Sequence, residues 1–111
     1  MINVQITRSL ELGTIVAFEV KGHAGFAKRG EDIVCAGVST VTVGTVNSIE
    51  SLTGVVMDSS MKNGFLSATL GSIEDPNISA KVQLLLESMV LMLTDIAESY
   101  GKYITIQQDI I

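Results

Sequence analysis

One amphipathic segment near the C-terminus constrains the fold more than any other stretch of the chain. Asp75 precedes Pro76, the order of a helix N-cap followed by a first-turn proline, and Gly101 stands where the pattern stops. Between them, apolar residues recur at the three- and four-residue spacing of one helical face, namely Ile78, Val82, Leu85, Met89, Met92 and Ile96. The segment therefore predicts a helix that must cover a second apolar surface.

Two alternating segments at the N-terminus predict part of that surface. Residues 2–6 and residues 16–20 place apolar and polar side chains in turn, and a turn at residues 11–13 separates them. The pattern indicates a hairpin of two half-buried strands.

Three further segments favour strands. In residues 55–61, alternate positions form one face, namely Val55, Met57, Ser59 and Met61. Asn63-Gly64 is a strong two-residue turn signal, and residues 65–70 make the return strand. Residues 102–110 alternate again and predict the last strand.

The segment from residue 35 to about residue 52 is built of small and β-branched residues, which favour a strand by propensity. Its length of about eighteen residues favours a helix that ends at Gly54. The predicted buried face consists of Val38, Val41, Thr45, Ile49 and Leu52. The sequence thus predicts that residues 1–111 form one α+β domain, with a single sheet of about five strands and two helices in the order ββαββαβ.

Composition excludes several classes of function. The net charge of −5 argues against nucleic-acid binding through a basic patch and favours a basic partner. The apolar stretch at residues 82–96 is too short and too polar to span a bilayer, so no membrane partner is expected. A single cysteine cannot form an intramolecular disulfide, and no signal peptide is visible. We therefore expect a cytoplasmic protein.

His23 and Cys35 are the only histidine and the only cysteine of the chain. A lone cysteine is most often a small buried apolar residue, and a lone histidine is most often a surface residue. However, a helix that begins at or just before Cys35 would surround its thiol with free backbone N–H groups, which stabilise the reactive thiolate. The N–H groups of Cys35 or Ala36 would then hold the oxyanion of an acyl-transfer reaction.

Two neighbours of Cys35 have both a structural and a functional interpretation. Asp32 fits the N-cap of the helix. Ser39 lies one turn after Cys35, so its hydroxyl could bond near the site or back to the carbonyl of Cys35. The sequence lacks the residues that other kinds of site need. One histidine and one cysteine are too few for an ordinary zinc site, and no phosphate-binding glycine motif is present. We expect no metal and no cofactor.

The stretch GHAGFAKRGEDIVCAGVS, residues 22–39, closely resembles the signature of the ribosomal-processing cysteine protease family. Members carry a Gly-His pair after the second strand, then a glycine-containing loop, and then an Asp-[Ile/Val]-[Val/Ile]-Cys-[Ala/Ser]-[Ala/Gly]-[Val/Ile]-Ser run at the start of a helix. Gly22-His23 matches the first element, and residues 32–39 match the second.

The resemblance implies a cysteine endopeptidase that removes the N-terminal extension of large-subunit ribosomal protein twenty-seven. It also implies that Cys35 is the nucleophile, that His23 is the general base and acid, and that the protein is a homodimer without metal. Asp32 would shape the loop or orient His23, and Ser39 would support the site. Two alternatives remain open: a non-catalytic assembly module that binds a basic ribosomal-protein tail, and a redox sensor whose cysteine is reversibly oxidised.

Overall fold

A computed structural model describes residues 1–111 and contains five strands and two helices in the order ββαββαβ, which confirms the predicted α+β fold. The elements are β1 (Ile2–Arg8), β2 (Ile15–Lys21), α1 (Ile33–Thr53), β3 (Asp58–Lys62), β4 (Phe65–Thr69), α2 (Pro76–Ser99) and β5 (Ile104–Ile110).

The strands form one mixed sheet in the order β3-β4-β2-β1-β5. The pairs β1–β2, β2–β4 and β3–β4 are antiparallel, whereas β5 lies parallel to β1 with Ile104 opposite Ile2. Alternate residues of β1, such as Val4 and Ile6, are buried. Because a strand directs successive side chains to opposite faces, this burial places the core on one face of the sheet.

The helix α1 is capped as predicted at both ends. The Asp32 carboxylate accepts hydrogen bonds from the first-turn N–H groups, and Gly54 ends the helix with a φ of 77°. The predicted buried face was wrong in part, because Leu52 is exposed and Thr42 is buried. Thr42 can lie in the core since its hydroxyl donates to the carbonyl of Val38 one turn earlier.

The buried face of α2 also differs from the predicted one. Leu86 and Leu93 are fully buried, whereas Leu85 is half-buried and Met92 is 42% exposed. The helix packs against α1 as well as against β2 and β5, so its buried face turns towards two neighbours rather than one.

The strand β3 begins later than predicted. Met57 is buried before the strand begins at Asp58, and all five residues of β3 are exposed. The strand lies at the edge of the sheet, so only β4 pairs with it. The expected apolar face of residues 55–61 is therefore not a strand face.

The segment with the length and composition of a membrane span is α1, not the stretch at residues 82–96. Its most apolar 18-residue window has a mean hydropathy of 1.3, and 28% of that window is buried in the fold. The core helix of a soluble protein passes the same test of length and composition, so this is weak evidence for a membrane.

Candidate active site

Gly22 directly follows β2 and starts the loop that carries His23. Its φ of 93° lies in the left-handed region, and a Cβ at this position would collide with the carbonyl oxygen of Met1. Its N–H donates to the carbonyl of Gly64 at 2.9 Å, which ties the loop to the β3–β4 turn. Only glycine fits this position, which explains the Gly-His pair physically.

Cys35 is the third residue of α1, and its side chain is half-buried. Its Sγ atom accepts a hydrogen bond of 3.3 Å from the N–H of Ala24. The thiol therefore lies in the first turn of the helix, where the macrodipole and this backbone N–H both stabilise a negative charge.

The Asp32 carboxylate joins the loop to the helix. One oxygen, Oδ1, accepts from the N–H groups of Val34 and Cys35, both at 3.0 Å. The other, Oδ2, accepts from the N–H groups of Phe26 at 2.9 Å and Ala27 at 3.2 Å. Hydrogen bonding to the charged form, first of all by the backbone of Cys35, lowers the pKa of Asp32. Since no hydrogen bond links Asp32 to His23, the structure favours the loop-shaping interpretation of Asp32 over the orienting one.

The imidazole of His23 is exposed and lies against the β3–β4 turn. A Cβ added to Gly64 would lie 2.6 Å from the Nε2 atom of His23. The carbonyl of His23 accepts a hydrogen bond of 2.6 Å from the amino group of Met1. No hydrogen bond joins the ring to the thiol of Cys35. Catalytic hydrogen bonds are often long or poorly aligned before substrate binds.

His23 and Cys35 line one cleft of about 550 Å³ between the start of α1 and the β3–β4 hairpin. Ala36 and Ser39 lie in the wall of the same cleft, as do Gly22 and Asp32. The structure thus brings all six sequence-predicted site residues together. Apolar side chains form much of the remaining lining, among them Val20, Val38, Val43, Met61 and Leu66.

Two expectations about individual bonds were wrong. The N–H of Cys35 donates to Asp32 Oδ1, and the N–H of Ala36 donates to the carbonyl of Asp32 at 3.0 Å, so neither is free to hold an oxyanion. Ser39 is exposed and makes neither of the two bonds considered for it. The side-chain cap of Asp32 occupies the N–H of Cys35, and the first backbone hydrogen bond of the helix occupies the N–H of Ala36.

Three aromatic residues that the sequence did not single out hold the loop between His23 and Cys35. The ring of Phe26 meets Tyr100 and Tyr103 edge-on, with centroid separations of 5.7 Å and 5.2 Å. Both tyrosines lie near the end of α2 and the start of β5. Aromatic residues far apart in sequence carried no local signal of this contact.

The structure brings together no group of three or more His, Cys, Asp or Glu side chains that could hold a metal ion. The charged side chains of the cleft are Arg29, Asp32 and Lys62, so the cleft does not share the acidic character of the whole chain. The site therefore offers a thiol, an imidazole and backbone N–H groups as its reactive groups.

The sequence profile of the cysteine protease Prp family matches residues 1–105. The chain is 37% identical to the ribosomal processing cysteine protease Prp of Bacillus subtilis, and the alignment covers all of both chains.

Two crystal structures of the ribosomal processing protease Prp from S. aureus have the same fold. The complex with a covalently linked product peptide has a TM-score of 0.88 and 32% identity, over 98% of this chain and all of that one. The complex with a substrate peptide has a TM-score of 0.82 and 32% identity over the same shares.

Proposed function

Since this chain belongs to the cysteine protease Prp family, we propose that it removes the N-terminal extension of large-subunit ribosomal protein twenty-seven. Membership of the family makes the chain a cysteine protease of ribosomal processing. The identity of the substrate and the roles of single residues are the proposal. The observation that carries it is the common cleft of His23 and Cys35, with the thiol in the first turn of α1.

The proposed reaction is a two-step acyl transfer. His23 takes the proton of the Cys35 thiol, and the thiolate attacks the carbonyl carbon of the cleaved bond. The protonated His23 gives its proton to the leaving amine, and water then releases the acyl group from Cys35. The covalently linked product peptide in the S. aureus relative supports a covalent intermediate. No third residue contacts the imidazole through a hydrogen bond, so the pair acts as a dyad.

The N–H of Ala24 is the proposed donor to the oxyanion. It lies 3.3 Å from Sγ and has the thiol as its partner, whereas the N–H groups of Cys35 and Ala36 are engaged by Asp32. When the sulfur of Cys35 bonds to the carbonyl carbon of the substrate, the N–H of Ala24 no longer has the thiolate as its hydrogen-bond acceptor and is adjacent to the new oxyanion. Such a donor stabilises the intermediate more strongly than the bound substrate.

The apolar lining of the cleft supports an apolar segment of substrate next to the cleaved bond. Val43 and Met61 offer side-chain surface there, and Met61 is 66% exposed. A basic part of the same peptide would interact with acidic surface outside the cleft, since the chain carries a net charge of −5. A fall in cleavage rate between 0.05 and 0.5 M salt, on the order of a few-fold, would support this steering. A rate independent of salt would reject it.

The proposed working form is a cytoplasmic homodimer without nucleic-acid or membrane partners. Leu84 and Leu91 support the dimer, because they lie two turns apart on α2 and are 72% and 67% exposed. A second copy of the chain would cover this apolar face.

The experiment is mass spectrometry of a peptide that spans the N-terminal extension, incubated with wild type, Cys35→Ala and His23→Ala. Asn47→Ala is the matched control, since Asn47 is exposed on α1 and lies outside the cleft. Cleavage at one bond by wild type and Asn47→Ala alone supports the proposal. Cleavage that survives in His23→Ala overturns the role of the base. Binding without cleavage by any of the four proteins favours the non-catalytic assembly module.

A further inference from the structure

The turn between β3 and β4 lies directly beneath the imidazole of His23. A methyl group on Gly64 would lie 2.6 Å from Nε2, 3.1 Å from Cε1 and 3.3 Å from Cδ2. The first distance is shorter than real carbon contacts allow, so the ring rests against the bare backbone of Gly64. All three atoms nearest to that methyl group therefore belong to the ring of His23.

The turn is also fixed relative to the backbone that carries His23. The carbonyl of Gly64 accepts the N–H of Gly22, the residue just before His23, at 2.9 Å. The pairing of β2 with β4 continues from this bond, with Lys21 opposite Phe65. The histidine backbone and the surface under its ring are therefore parts of one hydrogen-bonded unit.

We infer that Gly64 is a positioning residue for the general base, so that the absence of its side chain decides where the imidazole of His23 lies relative to Cys35. This inference rests on the proposed roles of His23 and Cys35. Gly64 lies in the wall of the same cleft, and in this scheme it acts on the reaction through its contact with the ring of His23. Its φ of 74° is a second reason for glycine, but that reason concerns the turn and not the ring.

A Cβ at Gly64 would displace the ring rather than unfold the chain. The atoms that it meets belong to the free end of an exposed side chain, which can rotate away at little cost. A general base moved by about 1 Å loses on the order of 100-fold in rate. Substrate contacts in the rest of the cleft stay unchanged, so the loss falls on kcat and not on KM.

Gly64→Ala and Gly13→Ala form a matched pair. Gly13 lies in the β1–β2 turn with a φ of 70°, close to the 74° of Gly64, and a Cβ there meets nothing within 4 Å. Both variants therefore place a side chain at a similar positive φ, and only Gly64→Ala carries the contact with His23. A difference between the two variants reports on the contact between the β3–β4 turn and His23.

The chain contains one histidine, so the Hε1 proton of His23 gives a single assignable NMR signal. In the full-length protein, Gly64→Ala is expected to move this signal and to lower kcat about 100-fold with KM within about twofold of wild type. Gly13→Ala is expected to leave the signal and kcat unchanged, with an equal loss of thermal stability in both variants.

An unmoved His23 signal in Gly64→Ala, or equal kcat in the two variants, would overturn the inference. If wild type cleaves no peptide, the proposed function fails. The comparison of the two NMR signals still decides whether Gly64 positions the ring.

Discussion

The helix that carries Cys35 contains two interior glycines, and their replacement by alanine is expected to stabilise the protein. Gly37 and Gly44 both lie within α1, and neither has a positive φ. Glycine in a helix interior is about 1 kcal/mol less favourable than alanine. The gain is realised only where the added methyl group has room.

Both positions have that room. A Cβ at Gly37 would lie 3.7 Å from the Cδ1 atom of Ile96 on α2, which is an ordinary van der Waals contact. A Cβ at Gly44 meets nothing within 4 Å. Each substitution is therefore expected to raise the free energy of unfolding by about 1 kcal/mol. Two helical turns, about 10 Å, separate the two positions, so the gains should add to about 2 kcal/mol.

Thermal and urea unfolding of Gly37→Ala, Gly44→Ala and the double variant would measure these gains. Each single variant should melt about 4 °C higher than wild type. Peptide cleavage should be unchanged, since neither glycine lines the cleft. A lower melting temperature for Gly37→Ala alone would mean that α1 and α2 approach too closely for a methyl group. A lower value for both would refute the reasoning from helix propensity.

Two further predictions concern charged groups. Asp32→Asn keeps one oxygen for the cap of α1 but places an NH₂ group against the N–H groups of Phe26 and Ala27. This variant should therefore slow cleavage, and its melting temperature should fall less than that of Asp32→Ala. Hydrogen bonding lowers the pKa of Asp32, so the stability that its carboxylate contributes is present at neutral pH and is lost as the pH falls below about 4. Equal melting temperatures of Asp32→Asn and Asp32→Ala would contradict the conclusion that Asp32 both caps α1 and holds the loop. Arg8 contacts Glu87 through two bonds of 2.7 Å and lowers the pKa of that carboxyl. Glu87→Gln should therefore lower the free energy of unfolding by at most about 1 kcal/mol at pH 7, because the Glu87 side chain is 44% exposed. A loss that persists below about pH 4 would show that it does not come from the ion pair with Arg8.

Local signals in the sequence predicted the elements of this fold well. Asp32 and Gly54 bound α1 because capping depends on a few neighbouring residues, and Asn63-Gly64 forms the predicted turn for the same reason. The motif around Cys35 also placed the thiol in the first turn of the helix. These features need no knowledge of tertiary structure.

Features that depend on packing were predicted less well. The buried faces of both helices were partly wrong, as Leu52 and Met92 show, because burial depends on which neighbours surround a helix. The parallel pairing of β5 with β1 and the position of Gly64 under His23 both join segments far apart in sequence.

The central claim is that Cys35 forms a covalent acyl intermediate with the help of His23. Rapid-quench mass spectrometry of the intact protein during peptide cleavage tests it most directly. The account predicts a transient mass increase equal to the N-terminal product fragment less one water, located on Cys35 by proteolytic mapping. The adduct should be absent in Cys35→Ala and should form far more slowly in His23→Ala. Cleavage by wild type without an adduct, or an adduct on another residue, would contradict the account.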